Sequence, residues 1–214
     1  MTNNSFRNKK ESGTISAMRT IVLASASPRR KEILEITGLK FSVHKSDYEE
    51  DLDLSLTSHK LARFLSLKKA EAVSHHYRDS IIIAADTFIA FKNRLLGKPL
   101  TEKKAIKMLK MLNGKSHAVI TGYTIIDTAN GKTISKSVAT KVYFSTLSDE
   151  EITSYVKSGE PLDKAGAYAV QGLGAVFIER IDGDFFNVMG LPLYALTVSL
   201  KKFGVHVLQL NEDV

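Results

Sequence analysis

The 214-residue chain has no cysteine, no tryptophan and only four prolines. Without thiols it can form no disulfide, thiolate metal centre or cysteine nucleophile, and the composition suits a reducing compartment, so a cytoplasmic location is expected. No apolar run is long enough to cross a bilayer, and residues 1–18 lack the apolar core of a secretory signal, so no membrane partner is expected. The net charge of +7 attracts polyanions, but no RNP-type aromatic motif or zinc-finger spacing accompanies it, and nucleic acid is not the expected partner. Internal repeats are also missing. Residues 1–18, with Arg7, Lys9 and Lys10 against Glu11, read as a disordered polar extension. Residues 19–210 read as a single α/β domain, which a 43% hydrophobic content can fill.

A glycine-rich phosphate loop is absent as well. Asn113, Gly114, Lys115 and Ser116 imitate the end of one, but Leu109 stands where its first glycine belongs and a strand rather than a helix follows. The phosphate site is expected at residues 20–31, TIVLASASPRRK, where a buried strand meets a tight turn of small residues including Ser25. Ser27 and Pro28 mark a helix start. Arg29 and Arg30 fall in its first turn, where the helix dipole disfavours cations unless an anion joins them.

Further along, residues 28–37 predict a helix carrying Ile33, Leu34 and Ile36, ended by Gly38. Asp47, Glu49, Glu50, Asp51 and Asp53 crowd a loop whose carboxylates repel unless solvated or met by a cation. Residues 58–73 read as a helix with Lys68 and Lys69 near its end. Residues 80–85 form the strongest buried-strand signal and end on Asp86 and Thr87. An acid leaving the carboxyl end of such a strand is a catalytic candidate, because ligands of open α/β sheets bind there.

Residues 88–96 read as a hairpin leading to Lys98, set between Gly97 and Pro99 where it can reach a phosphate. Thr101 caps a helix to Leu112, and residues 117–127 and 133–145 are strands joined by a type I′ turn at Asn130 and Gly131. Ser148 and Glu151 make a capping box. Residues 163–172, DKAGAYAVQG, read as a ligand-approaching loop unlike a core segment, with Lys164 for phosphate and Gln171 for a base edge. A strand over 174–181 and a helix over 191–203 complete the expectation.

Taken together, SASPRRKEIL, AADT, GKP, DKAGAYAVQG and NVMGLPL, in this order, resemble the Maf-like family of nucleoside triphosphate pyrophosphatases. The resemblance implies a mixed, twisted α/β sheet flanked by helices, of the Maf/ITPase-like kind, with two lobes around a deep cleft. It also implies hydrolysis of a nucleoside triphosphate to monophosphate and pyrophosphate with a divalent metal cation, magnesium or manganese. By resemblance Asp86 accepts the proton, Ser25, Arg29, Arg30, Lys69 and Lys98 line the phosphates, and Glu50 stands near the metal. Glu49 competes with Glu50 for that position, and the roles of Glu50 and Asp86 are open to exchange. Arg29, Thr87 and Gln171 match the specificity positions of the dTTP/UTP branch, whereas the 7-methyl-GTP branch carries a tryptophan that this chain lacks. A 7-methyl-GTP pyrophosphatase, a nucleotidyltransferase and a nucleic-acid- or partner-binding regulator of cell division are the competing readings, and a homodimer is left open.

Overall fold

The computed structural model describes residues 19–49, 56–92 and 94–208. In chain order the elements are β1 (Thr20–Leu23), α1 (Pro28–Glu35), β2 (Ser42–Val43), α2 (Ser58–Ser74), β3 (Ser80–Phe91), β4 (Arg94–Leu96) and α3 (Glu102–Leu112). They continue with β5 (Ser116–Asp127), β6 (Thr133–Phe144), α4 (Asp149–Lys157), β7 (Ile178–Asp182), α5 (Phe185–Met189) and α6 (Leu193–Leu200). The strands form one mixed sheet in the order β2-β1-β3-β5-β6-β7, with β4 added to β3. β1 runs parallel to β2 and β3, and the remaining pairs are antiparallel. Among the described residues no helix is long and apolar enough to cross a membrane.

Side chains of a strand alternate between the faces of its sheet, and on β3 this alternation divides the molecule. Ile81, Ile83 and Ala85 enter a core closed by Ile33 and Leu34 of α1 and by Leu196 and Leu200 of α6. Ile89 and Phe91 enter a second core with Leu109, Val142, Phe144 and Ile152. These two cores are the lobes, and Thr87 lies between them. With the opposite parity, Ile82 and Ala84 pack with Ala70 and Val73 of α2, and Phe88 packs with its Leu61 and Leu65. Asp86 falls between those groups. The ladder to β1 ends at Ile83 and the ladder to β4 begins at Ile89. Residues 84–88 therefore present an edge between the β1–α1 turn and the segment after β4.

Several local expectations differ from the structure. Asp86 does not end a strand, because apolar Phe88, Ile89 and Phe91 continue the pattern and β3 pairs with β5 as far as Ala90 and Ala118. Helix α1 stops at Glu35, and Ile36 is 61% exposed rather than in the core. The β5–β6 turn is not type I′: the Gly131 amide closes on the Asp127 carbonyl at 2.8 Å, and of Asn130 and Gly131 only the glycine has positive φ. Residues 166–169 are buried, so four of the ten residues of the glycine-rich loop are core. The strand expected over 174–181 is a 3₁₀ turn, Leu173–Phe177, followed by the shorter β7. The last helix likewise yields to a 3₁₀ turn, Lys201–Phe203. Glycine and short apolar runs satisfy more than one backbone, and packing decided among them.

The predicted caps are present. Thr101 accepts from the Lys104 amide at 3.4 Å, and Ser148 and Glu151 exchange hydrogen bonds.

Gly122 lets α2 lie directly on β5. A Cβ there would come 2.1 Å from the Ala62 carbonyl oxygen and 2.6 Å from the Arg63 nitrogen, both backbone atoms of α2. Gly122→Ala should displace the helix that carries Lys69 and cost about 1–3 kcal/mol or more, read as a lower urea midpoint.

His117, 3% exposed, sits in the second core with Nε2 2.7 Å from the Tyr168 hydroxyl and its ring edge-on to Phe144. Burial pushes its pKa from 6.5 down to about 4. The unfolded chain takes up this proton below pH 6.5 and the folded chain only near 4, so the fold loses stability as pH falls through that window. The loss attributable to this imidazole is about 3 kcal/mol. Urea midpoints across the window should therefore fall less steeply in His117→Asn than in the unaltered chain.

Candidate active site

The β1–α1 turn is bonded to the sheet edge. The Ala24 amide donates to the Ile83 carbonyl at 2.7 Å, Ser25 accepts from the Ser27 amide at 3.2 Å, and Ser27 caps α1 ahead of Pro28. From the first turn of α1, Arg30 reaches back across this turn. Its Nε donates to the Gly190 carbonyl at 2.9 Å, Nη2 to Thr87 Oγ1 at 3.1 Å and Nη1 to Ser25 Oγ at 3.4 Å. Thr121 donates its hydroxyl proton to the Asn187 carbonyl at 3.0 Å, so Thr87 donates to Thr121, 3.0 Å away. The planar fork of arginine suits such divergent acceptors.

Asp86 leaves β3 on the other face and meets Lys69, which projects from α2. Their side chains are only 8% and 13% exposed, so the contact balances a carboxylate and an ammonium removed from bulk water.

The two predicted arginines separate in role. Arg30 holds the turn to β3 and to the segment after α5. The Arg29 side chain makes no hydrogen bond among the described residues, and its charge helps hold the Asp163 carboxyl below its usual range, after the larger effect of the Lys164 hydrogen bond. Lys164 is paired with Asp163. The Gly166 amide donates to the Gly97 carbonyl at 3.0 Å, which sets the loop bearing Lys164 against the turn bearing exposed Lys98.

Thus the structure joins Ser25, Arg30 and Thr87 in one cluster, Lys69 and Asp86 in another, and Arg29 with the Asp163–Lys164 pair. Gln171 is exposed and makes no hydrogen bond among the described residues. Glu50, the expected metal-side acid, lies outside the described residues. A cavity of about 700 Å³ opens over Ala90, Ala118 and Lys141, and none of the expected site residues lines it. Sequence reasoning missed Thr121, Asp163 and Gly190. Asp163 and Gly190 lie inside motifs already singled out, whereas only the pairing of β5 with β3 reveals Thr121.

The structure is thus that of an α/β protein in which a carboxylate, an ammonium and a guanidinium gather at a strand edge beside a capped helix start. Residues 20–203 match the model of the Maf-like protein family, and the chain belongs to it. It is 49% identical over 193 residues to the dTTP/UTP pyrophosphatase of Methanosarcina barkeri, covering 90% of this chain and 98% of the relative. The dTTP/UTP pyrophosphatase of Methanosarcina mazei is 50% identical over 191 residues, covering 89% and 97%. The solved structure of the Staphylococcus aureus Ham1 protein aligns at 14% identity with a TM-score of 0.44, over 86% of this chain and 100% of that one.

Replacing each arginine by lysine separates their roles. Arg30→Lys keeps the charge but loses the fork and should lower stability by about 1.5–3 kcal/mol. Arg29→Lys should leave the thermal midpoint unchanged. Parallel melting curves check both expectations.

Proposed function

We propose that the chain is a nucleoside triphosphate pyrophosphatase that hydrolyses dTTP and UTP to the monophosphate and pyrophosphate. The observation that carries the reading is the buried Asp86–Lys69 pair at the edge of β3, next to the arginine-latched turn. Curated relatives at 49% and 50% identity over nearly their whole length bear the dTTP/UTP pyrophosphatase name.

Hydrolysis forms a bond from a water oxygen to the α-phosphorus and breaks the bond from that phosphorus to the oxygen bridging to the β-phosphate. In this reading Asp86 accepts the water proton, and Lys69 compensates the carboxylate charge before the proton moves. Arg29, Lys98 and Lys164 offer positive charge to the departing pyrophosphate. Arg30 keeps the turn in place, while Thr87 is engaged by Arg30 and Thr121, so recognition of the pyrimidine falls to Gln171. A glutamine amide carries both a donor and an acceptor, and a mismatched base leaves one of them unpaired.

In this reading the cofactor is a divalent ion, magnesium or manganese. A carboxylate, the role expected of Glu50, is a hard oxygen donor of the type such ions prefer, and magnesium held by one or two carboxylates plus substrate phosphates requires no cluster of protein ligands. Among the described residues no group of three acidic or imidazole side chains forms such a cluster. When bound, the ion neutralises phosphate charge and makes the phosphorus more electrophilic. The cysteine-free composition supports placing the enzyme in the cytoplasm.

Pyrophosphate release should be measured with dTTP, UTP, CTP, GTP, ATP and 7-methyl-GTP, with magnesium or manganese and with EDTA. Release from dTTP and UTP alone, abolished by EDTA, is expected. Asp86→Asn should lower kcat by about two orders of magnitude or more while the protein still binds nucleotide. Turnover of 7-methyl-GTP instead would reverse the substrate assignment. Undiminished hydrolysis by Asp86→Asn would remove Asp86 from the chemistry.

A further inference from the structure

Gln171 belongs to a stretch with little regular hydrogen bonding. Gly166 and Ala167 have φ of 70° and 64°, Gly172 has φ of 117°, and short 3₁₀ turns replace helix or ladder. The backbone on both sides of Gln171 is nonetheless tied to one pair of side chains. Two and three residues after it, the Leu173 and Gly174 amides donate to Glu160 Oε2 and Oε1 at 2.9 and 3.0 Å. Two residues before it, the Ala169 amide donates to the Tyr155 hydroxyl at 3.4 Å, and that hydroxyl donates to Glu160 Oε1 at 2.8 Å. The carboxylate is pressed against the intervening backbone, since a Cβ on Gly172 would stand 2.4 Å from Glu160 Oε2.

We propose that Glu160, oriented by Tyr155, is a positioning residue for base selection that clamps the backbone on both sides of Gln171. The proposal rests on the reading of Gln171 as the group that meets the pyrimidine. Two amide donors and a hydroxyl donor converge on one carboxylate, and such charge-assisted bonds hold irregular backbone more firmly than neutral ones. The electrostatics agree. Burial opposes ionisation of Glu160, but the Gly174 and Leu173 amides, the Tyr155 hydroxyl and the Lys164 charge outweigh it and hold the carboxyl below its ordinary range. Burial, and then the neighbouring carboxylate, pushes the Tyr155 phenol up, so it stays a donor. Neither side chain has to touch the substrate; together they present Gln171 in one orientation.

The test compares Glu160→Gln, Tyr155→Phe, Gln171→Ala and the Glu160→Gln/Gln171→Ala double variant, all full-length. Steady-state kinetics are read with dTTP and CTP, alongside melting curves. A glutamine at position 160 keeps the size but turns an N–H group toward backbone donors. Glu160→Gln should raise KM for dTTP and erode the preference for dTTP over CTP about tenfold each, with kcat within about twofold. Tyr155→Phe should shift both in the same direction by less, and it carries the test if Glu160→Gln fails to fold. The double variant should match Gln171→Ala alone, because the clamp acts through that residue. If Gln171→Ala alters selectivity while folded Glu160→Gln and Tyr155→Phe do not, the clamp is overturned and the role of Gln171 survives. If Gln171→Ala leaves selectivity intact, the role of Gln171 falls and the proposal falls with it. A loss confined to kcat or to melting temperature would also overturn it.

Discussion

The pleat of β3 is the constraint on which the rest of the structure depends. Adjacent side chains of a strand must point to opposite faces, so Asp86 and Thr87 cannot share one. Asp86 is directed to α2 and its Lys69, while Thr87 is directed to Arg30. Both occur where the apolar sequence of the strand is interrupted between two packed groups, at a stretch of edge bounded by the ladders to β1 and β4. One polar dipeptide in a run otherwise committed to the core thereby serves both faces of a single seam.

Part of the charge at this seam serves the architecture. Burying Asp86 and Lys69 is costly unless each compensates the other, and removing either partner would strand the remaining charge. Arg30 spends its donors on the Gly190 carbonyl, Thr87 and Ser25, which joins α1, β3 and the segment after α5. Arg29, Lys98 and Lys164 stand instead on the first turn of α1 and on two loops, outside that latch.

The loop opposite the turn follows the same logic with fewer regular bonds. It is tied at Gly166 to the Gly97 carbonyl, buried around Tyr168, held at Ala169 by Tyr155, and followed by Leu173 and Gly174, whose amides donate to Glu160. Side-chain acceptors here replace a ladder and hold irregular backbone in one arrangement.

By itself the sequence determined what depends on near neighbours. The buried run at residues 80–85, the Ser27–Pro28 helix start, the cap at Thr101 and the capping box of Ser148 and Glu151 all follow from local periodicity and local hydrogen bonding. The order of five short motifs was enough to place the chain in its family. Tertiary structure alone decided that β3 continues through Asp86, because that choice rests on pairing with β5, and that Arg30 is a latch, because Gly190 is 160 residues away. It also decided that the middle of the glycine-rich loop is core and that Glu160 supports the backbone around Gln171. Such contacts join residues with no common period in the chain, and they come into being only when the sheet brings their elements together.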